Sequence, residues 1–149
     1  MKFRHSLEFQ SILKPFFLFL FHNSQHLLPL KKIPWIEFKI AIPQDGNYVK
    51  PEEMPKFLNS LDVYILASKS EGFPLKLLEA ASCGRICIST KVGGAEDLIK
   101  DKENGYFFER NKNNLVEMLN KINQNRLNET KKGLLLRREI QKSWSWEKT

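Results

Sequence analysis

From about residue 46 the chain settles into a regular alternation, in which short apolar runs bounded by turn residues give way to segments of helical periodicity. VYILAS, Val63 to Ser68, is nearly continuous in apolar residues rather than alternating, which is the pattern of a central parallel strand covered on both faces. ICIST, Ile86 to Thr90, reads as the next strand, and Gly105 to Phe108 as a short one after it. Pro51-Glu52-Glu53-Met54-Pro55 opens a helix, because proline is tolerated in a first turn and acids there suit the helix dipole; Phe57, Leu58 and Leu61 form its apolar face. A second helix is predicted from about Pro74 to Ser82, ended by Gly84, which can take positive φ. Val92-Gly93-Gly94 is a loop without bulky side chains, AEDLIK after it is helical, and between Asn111 and Asn125 the residues Leu115, Met118, Leu119 and Ile122 recur at i, i+3, i+4 and i+7, an amphipathic helix. The tail from Asn128 to Lys142 reads as a solvated basic helix whose closing aromatics, Trp144 and Trp146, dock on the domain.

Residues 1–45 follow no such order and form a poorly defined first segment, with residues 46–149 as the organised domain. A helix over Ser6 to Leu13 and strands over Phe16 to Phe21 and Ile36 to Ile42 fit the pattern, but Pro29, Pro34 and Pro43 interrupt any long element. PFFLFLF, Pro15 to Phe21, is the strongest apolar burst. His22 and Asn23 stop it well short of the ~20 residues a membrane span needs, and no small-residue cleavage site follows it. A buried strand is the preferred reading; a peripheral membrane contact helped by Lys31 and Lys32 is the alternative.

Strand, helix, strand, helix, strand, helix is the signature of an α/β fold: a Rossmann-like parallel sheet with helices on both faces. Ligands of such sheets bind beyond the carboxyl ends of the strands, here the loops after Ser68 and Thr90 and, third, after Phe108.

Charge and cysteine content narrow the functional classes. The net charge of +7 divides into +4 over residues 1–50, −2 over 51–120 and +5 over 121–149, so the basicity sits at the two ends. A nucleic-acid surface would gather it on one face with aromatic residues interleaved, and no zinc spacing is present, so no nucleic acid is expected as a partner. Cys83 and Cys87 lie far in sequence from His5, His22 and His26, which argues against a metal site and for two buried, reduced thiols in a cytoplasmic protein.

Within SKSEGFPLKLLEAASCG, Ser68 to Gly84, two carboxylates stand with seven residues between them, Glu71 in the loop before the predicted helix and Glu79 in its second turn. The helical wheel puts Leu77, Leu78, Ala80 and Ala81 on one side and Lys76 and Glu79 on the other, so Glu79 is compatible with a merely solvent-facing role. The local chemistry offers a sharper alternative. Exposed N–H groups at a helix start, backed by the dipole, suit a phosphate, and Gly72 lets a ligand approach the backbone. A nearby carboxylate can accept hydrogen bonds from adjacent sugar hydroxyls, as an acid in dinucleotide-binding folds holds a ribose. Two carboxylates flanking a phosphate site suit a sugar at each end of a diphosphate, which describes a nucleotide sugar.

The string from Asp62 to Phe108, DVYILASKSEGFPLKLLEAASCGRICISTKVGGAEDLIKDKENGYFF, closely resembles the C-terminal domain of the group 1 (family 4) glycosyltransferases, which have the two-domain GT-B fold. The Asp-aromatic strand, the Ser, E-G-F-P, a second Glu with seven residues between it and the first, the small-residue helix end with Gly, the strand, V-G-G, the acidic helix and N-G all occur in order; the likeness extends more loosely from Tyr48 to Trp146. The resemblance implies that Glu71 is the catalytic-site carboxylate beside the donor sugar and that Glu79 binds the nucleotide ribose. It also implies that Gly72, Phe73, Pro74, Leu75 and Lys76, together with Gly93 and Gly94, form the donor pocket. It implies a retaining transfer of a sugar from a nucleotide sugar to a glycan or lipid acceptor, at the cytoplasmic side or the inner face of a membrane. Neither cofactor nor metal is then needed, since electrostatic stabilisation of the departing diphosphate carries most of the catalysis. The acceptor-binding domain and the family's glycine-rich strand end with its basic pair have no counterpart in residues 1–45. The expectation is a partial GT-B domain, either an enzyme fragment or the donor half of a split enzyme that works with a separate acceptor-domain subunit.

Overall fold

Five strands form one sheet in the computed structural model, which describes residues 16–20, 30, 32–39 and 49–144. The strands are β1 (Phe16–Leu20), β2 (Ile36–Lys39), β3 (Val63–Leu66), β4 (Ile86–Ser89) and β5 (Tyr106–Phe107). They are ordered β2-β1-β3-β4-β5, and every pair is parallel. β3 is therefore the central strand, as its unbroken apolar run predicts. β1 pairs with β2 on one side (Phe16 with Ile36) and with β3 on the other (Leu18 with Val63), so the apolar burst forms an inner strand of the same sheet. The strand order reverses between β1 and β3, the kind of crevice where open α/β sheets bind ligands. The predicted helix over Ser6 to Leu13, the last residues of the predicted strands at Phe21 and residues 40–42, and Trp146 lie outside the described residues.

Because successive strand residues point to opposite faces, a strand with two covered faces needs apolar side chains at every position. On one face Val63, Ile65, Ile86 and Ile88 pack against Leu115, Leu119 and Ile122, all buried. These last three come from α4 (Lys112–Gln124), whose start is capped by the Asn111 side chain accepting from the Asn113 N–H at 2.8 Å. On the other face Tyr64, Leu66 and Cys87 meet four helices: α1 (Met54–Asn59), α2 (Leu75–Ser82), α3 (Ala95–Leu98) and α5 (Arg126–Ser143). They contribute Leu58, Leu77, Ala80, Ala81, Ala95, Leu98, Leu136 and Ile140 to the core.

Four local outcomes refine the expectations. The first helix begins as a 3-10 turn over Pro51–Glu53 and continues as α1. The AEDLIK helix is a single turn, because Ile99 turns extended (φ −98°, ψ 125°) to reach the core while the Asn104 side chain accepts the Lys100 N–H at 2.7 Å. Only Cys87 is a fully buried thiol; Cys83, in the turn that ends α2, is half-exposed. Gly84 does take positive φ (+71°), and α5 crosses that turn so closely that a Cβ on Gly133 would stand 2.4 Å from the Gly84 carbonyl oxygen.

Candidate functional site

The carboxyl ends of β3, β4 and β5 are tied to one another just where the sheet stops. Thr90 N–H donates to the Leu66 carbonyl at 3.0 Å and Phe108 N–H to the Ser89 carbonyl at 3.0 Å, extending the ladder one step past each strand. The Thr90 hydroxyl donates to the Ser68 carbonyl at 2.6 Å, which fixes the start of the loop after β3. From there the Ser68 hydroxyl donates to Glu71 Oε1 at 2.7 Å, so the loop carboxylate is oriented by the strand end and half-buried.

The glycines of Val92-Gly93-Gly94 have a specific mechanical role. A Cβ on Gly93 would lie 2.2 Å from the Glu71 carbonyl oxygen and 2.3 Å from that of Gly72, and Gly93 itself is left-handed (φ +33°). A Cβ on Gly94 would lie 2.6 Å from the Phe73 ring, and the Gly94 N–H donates to the Gly72 carbonyl at 2.9 Å. Only a loop without side chains packs this tightly, so the β4 loop clamps the Glu71–Phe73 turn from behind. Gly72 is the opposite case: it is exposed, its φ is not left-handed, and a Cβ there would meet nothing within 4 Å. Nothing in the fold requires a glycine at that position.

Helix α2 starts directly after this turn, with Pro74 as its buried N-cap and no side chain capping it. The Leu75 N–H turns back onto the Phe73 carbonyl at 3.0 Å, which engages one of the amides expected to line a diphosphate pocket. Glu79 lies on the half-exposed face and accepts from Lys76 Nζ at 2.9 Å, so the two polar residues of the wheel form an ion pair. Phe73 is 40% exposed and packs against Trp144, centroids 5.3 Å apart, so the aromatic tail docks on the loop of the site. Among the described residues no group of three or more His, Cys, Asp or Glu could hold a metal ion, and the three histidines lie outside them. No described helix is long and apolar enough to cross a membrane.

An open cleft of about 700 Å³ lies over the three predicted loops. Ser68, Thr90 and Val92 line it from β3 and β4, and Phe107 and Arg110 from β5. Glu71 is connected to this cleft through Ser68, and Glu79 does not line it. Sequence reasoning placed these loops but missed Ser68, Thr90 and Arg110 as individual residues. Their only signal is position, at or just after the end of a strand.

Residues 46–135 match the family described as glycosyl transferases group 1. The chain belongs to this family. An uncharacterized glycosyltransferase of Methanocaldococcus jannaschii is 34% identical over 101 residues, which cover 65% of this chain and 28% of that protein. The C-terminal domain of a glycosyl transferase group 1 family protein from Francisella tularensis superposes with a TM-score of 0.71 over 95% of this chain and 92% of that domain, at 20% identity. HepE of Anabaena, solved in complex with UDP-glucose, gives 0.72 over 97% of this chain and 48% of that one, at 18% identity. The fold is therefore that of a GT-B C-terminal domain. The matched stretches cover 15% to 28% of the curated relatives' own lengths.

Proposed function

We propose that this chain is the nucleotide-sugar-binding domain of a retaining glycosyltransferase that passes a hexosyl group to a glycan or lipid acceptor. The observation that carries the reading is the clamped turn: Ser68 and the glycine loop hold Glu71 at the strand ends, while Gly72 leaves open space in front of the start of α2. In this reading Glu71 contacts hydroxyls of the transferred sugar, and Glu79 holds the ribose, exchanging its Lys76 contact for the ligand. Because the Leu75 N–H is already engaged by Phe73, the amides of Gly72, Phe73 and Lys76 face the diphosphate. Pro74, with no N–H, shapes the turn, and Gly93 and Gly94 hold it in place. The departing diphosphate is stabilised by these donors and the helix dipole, with no metal ion and no protein nucleophile. Support comes from the binding of UDP-glucose by Anabaena HepE, whose fold this chain shares. The enzyme would work in the cytoplasm or at the inner face of a membrane, with an acceptor-binding unit completing the cleft.

Thermal-shift titration of the chain with UDP, GDP and ADP tests the donor site. A bound nucleotide at a hundred times its Kd stabilises by about 2.7 kcal/mol, several degrees for a chain of this size. No shift with any of the three nucleotides would end the proposal.

A further inference from the structure

The cleft over β3, β4 and β5 carries a charge pattern that the donor reading leaves unused. Three cations line it, each brought by a different strand: Lys69 follows β3, Lys91 follows β4 and Arg110 follows β5. Arg110 Nε donates to the Ala67 carbonyl at 3.0 Å, which fixes its guanidinium at the wall. Lys91 Nζ sits 5.9 Å from the centroid of the Phe107 ring, also on the wall. Two acids, Asp101 and Glu109, also line the cleft. Asp101 is engaged within the fold, its Oδ1 accepting the Phe107 N–H at 2.9 Å. The three cations outnumber the two acids of the lining, and Asp101 is already engaged by the backbone, so the cleft keeps a positive balance that favours an anion.

We propose that this cleft is a second, anionic subsite that takes a phosphate group of the substrate. It rests on the glycosyltransferase reading for the identity of its ligand and differs from the start of α2 in both residues and location. Ser68 joins the two, lining the cleft while its hydroxyl orients Glu71. A phosphate held by Lys69, Lys91 and Arg110 therefore lies beside the carboxylate assigned to the transferred sugar. The phosphate is one carried by the acceptor, since the donor's diphosphate is assigned to the amides at the start of α2; a planar guanidinium and two ammonium groups are the donors that such a group takes.

Amide NMR titration of the intact chain tests this assignment. Glycerol 3-phosphate is added first alone and then with UDP saturating, and UDP is also titrated alone. If glycerol 3-phosphate moves the amides of Lys69, Lys91 and Arg110 while UDP is bound, the cleft takes the acceptor's phosphate. If UDP itself moves them and blocks glycerol 3-phosphate, the cleft belongs to the donor and the second subsite is refuted. The double substitution Lys69→Ala with Lys91→Ala lowers glycerol 3-phosphate affinity about tenfold or more, the affinity falls as salt is raised, and Lys131→Ala on the exposed side of α5 leaves it unchanged. The subsite is also refuted if glycerol 3-phosphate does not move the three amides, or if Lys131→Ala weakens binding as much as the cleft substitutions do. Movement of Gly72 to Glu79 with UDP reports on the donor site separately, so either proposal can fail while the other stands.

Discussion

Two glycines in contact across the site, Gly72 and Gly93, should respond to the same substitution in opposite ways. Alanine at Gly93 places a methyl carbon 2.2 and 2.3 Å from two carbonyl oxygens, more than 1 Å inside ordinary contact, at a left-handed φ of +33°. The backbone conformation costs about 1 kcal/mol, the overlap about 1–3 kcal/mol, and separating the loops forfeits the Gly94-to-Gly72 hydrogen bond, about 1 kcal/mol. Gly93→Ala is therefore expected to destabilise by about 3–5 kcal/mol and to lower the melting temperature by on the order of 10 °C. Alanine at Gly72 meets nothing within 4 Å, so stability should change by less than about 1 kcal/mol, toward the stabilising side because the unfolded chain loses freedom. Its methyl group instead occupies the space assigned to the diphosphate, so UDP affinity should fall about tenfold or more. Differential scanning calorimetry and isothermal titration on both variants give the four numbers. An unchanged melting temperature for Gly93→Ala refutes the clamp, and unchanged UDP affinity for Gly72→Ala refutes the ligand's approach to this turn.

Glu79→Ala should weaken UDP binding about tenfold with almost no change in melting temperature, because the Lys76–Glu79 pair is half-exposed and contributes at most about 1 kcal/mol. An equal loss of stability would instead mark Glu79 as a structural residue. Gly133→Ala should destabilise by about 1–3 kcal/mol without touching the site, since its Cβ would strike the Gly84 carbonyl; urea denaturation measures this. The Lys100 ammonium donates to Glu139 at 2.8 Å and the Asn104 amide donates to it as well, and both hold this carboxyl below the usual carboxylate range. Its contribution is complete above the ordinary carboxyl pKa and is lost as pH falls through the depressed folded value. Glu139→Gln should therefore lower stability slightly at neutral pH, by at most about 1 kcal/mol, and flatten the acid limb of the melting-temperature profile; a parallel profile would refute this.

Elements whose signal is local can be recognised from the chain alone. The unbroken apolar runs of β3 and β4 reflect two covered faces, and the i, i+3, i+4, i+7 pattern of α4 reflects one. Both are properties of neighbouring residues and appear directly in the order of side chains. The string from Asp62 to Phe108 likewise carries the family, and the strand-end rule points to the loops after β3, β4 and β5 from the sequence alone. What the chain could not indicate depends on contacts between distant residues. The glycines after β4 look like a generic flexible loop until the turn of Glu71 and Gly72 is placed 2.2 to 2.3 Å from a would-be Cβ. Trp144 reaches Phe73 across 71 positions, through the crossing of α5 over α2 at Gly84 and Gly133. Lys69, Lys91 and Arg110 are unremarkable surface cations in the sequence, and only parallel strands ending at one level bring them to one cleft. Periodicity records which face of an element is buried; which elements meet at their ends is decided by the sheet order, a long-range property that no window of neighbouring residues contains.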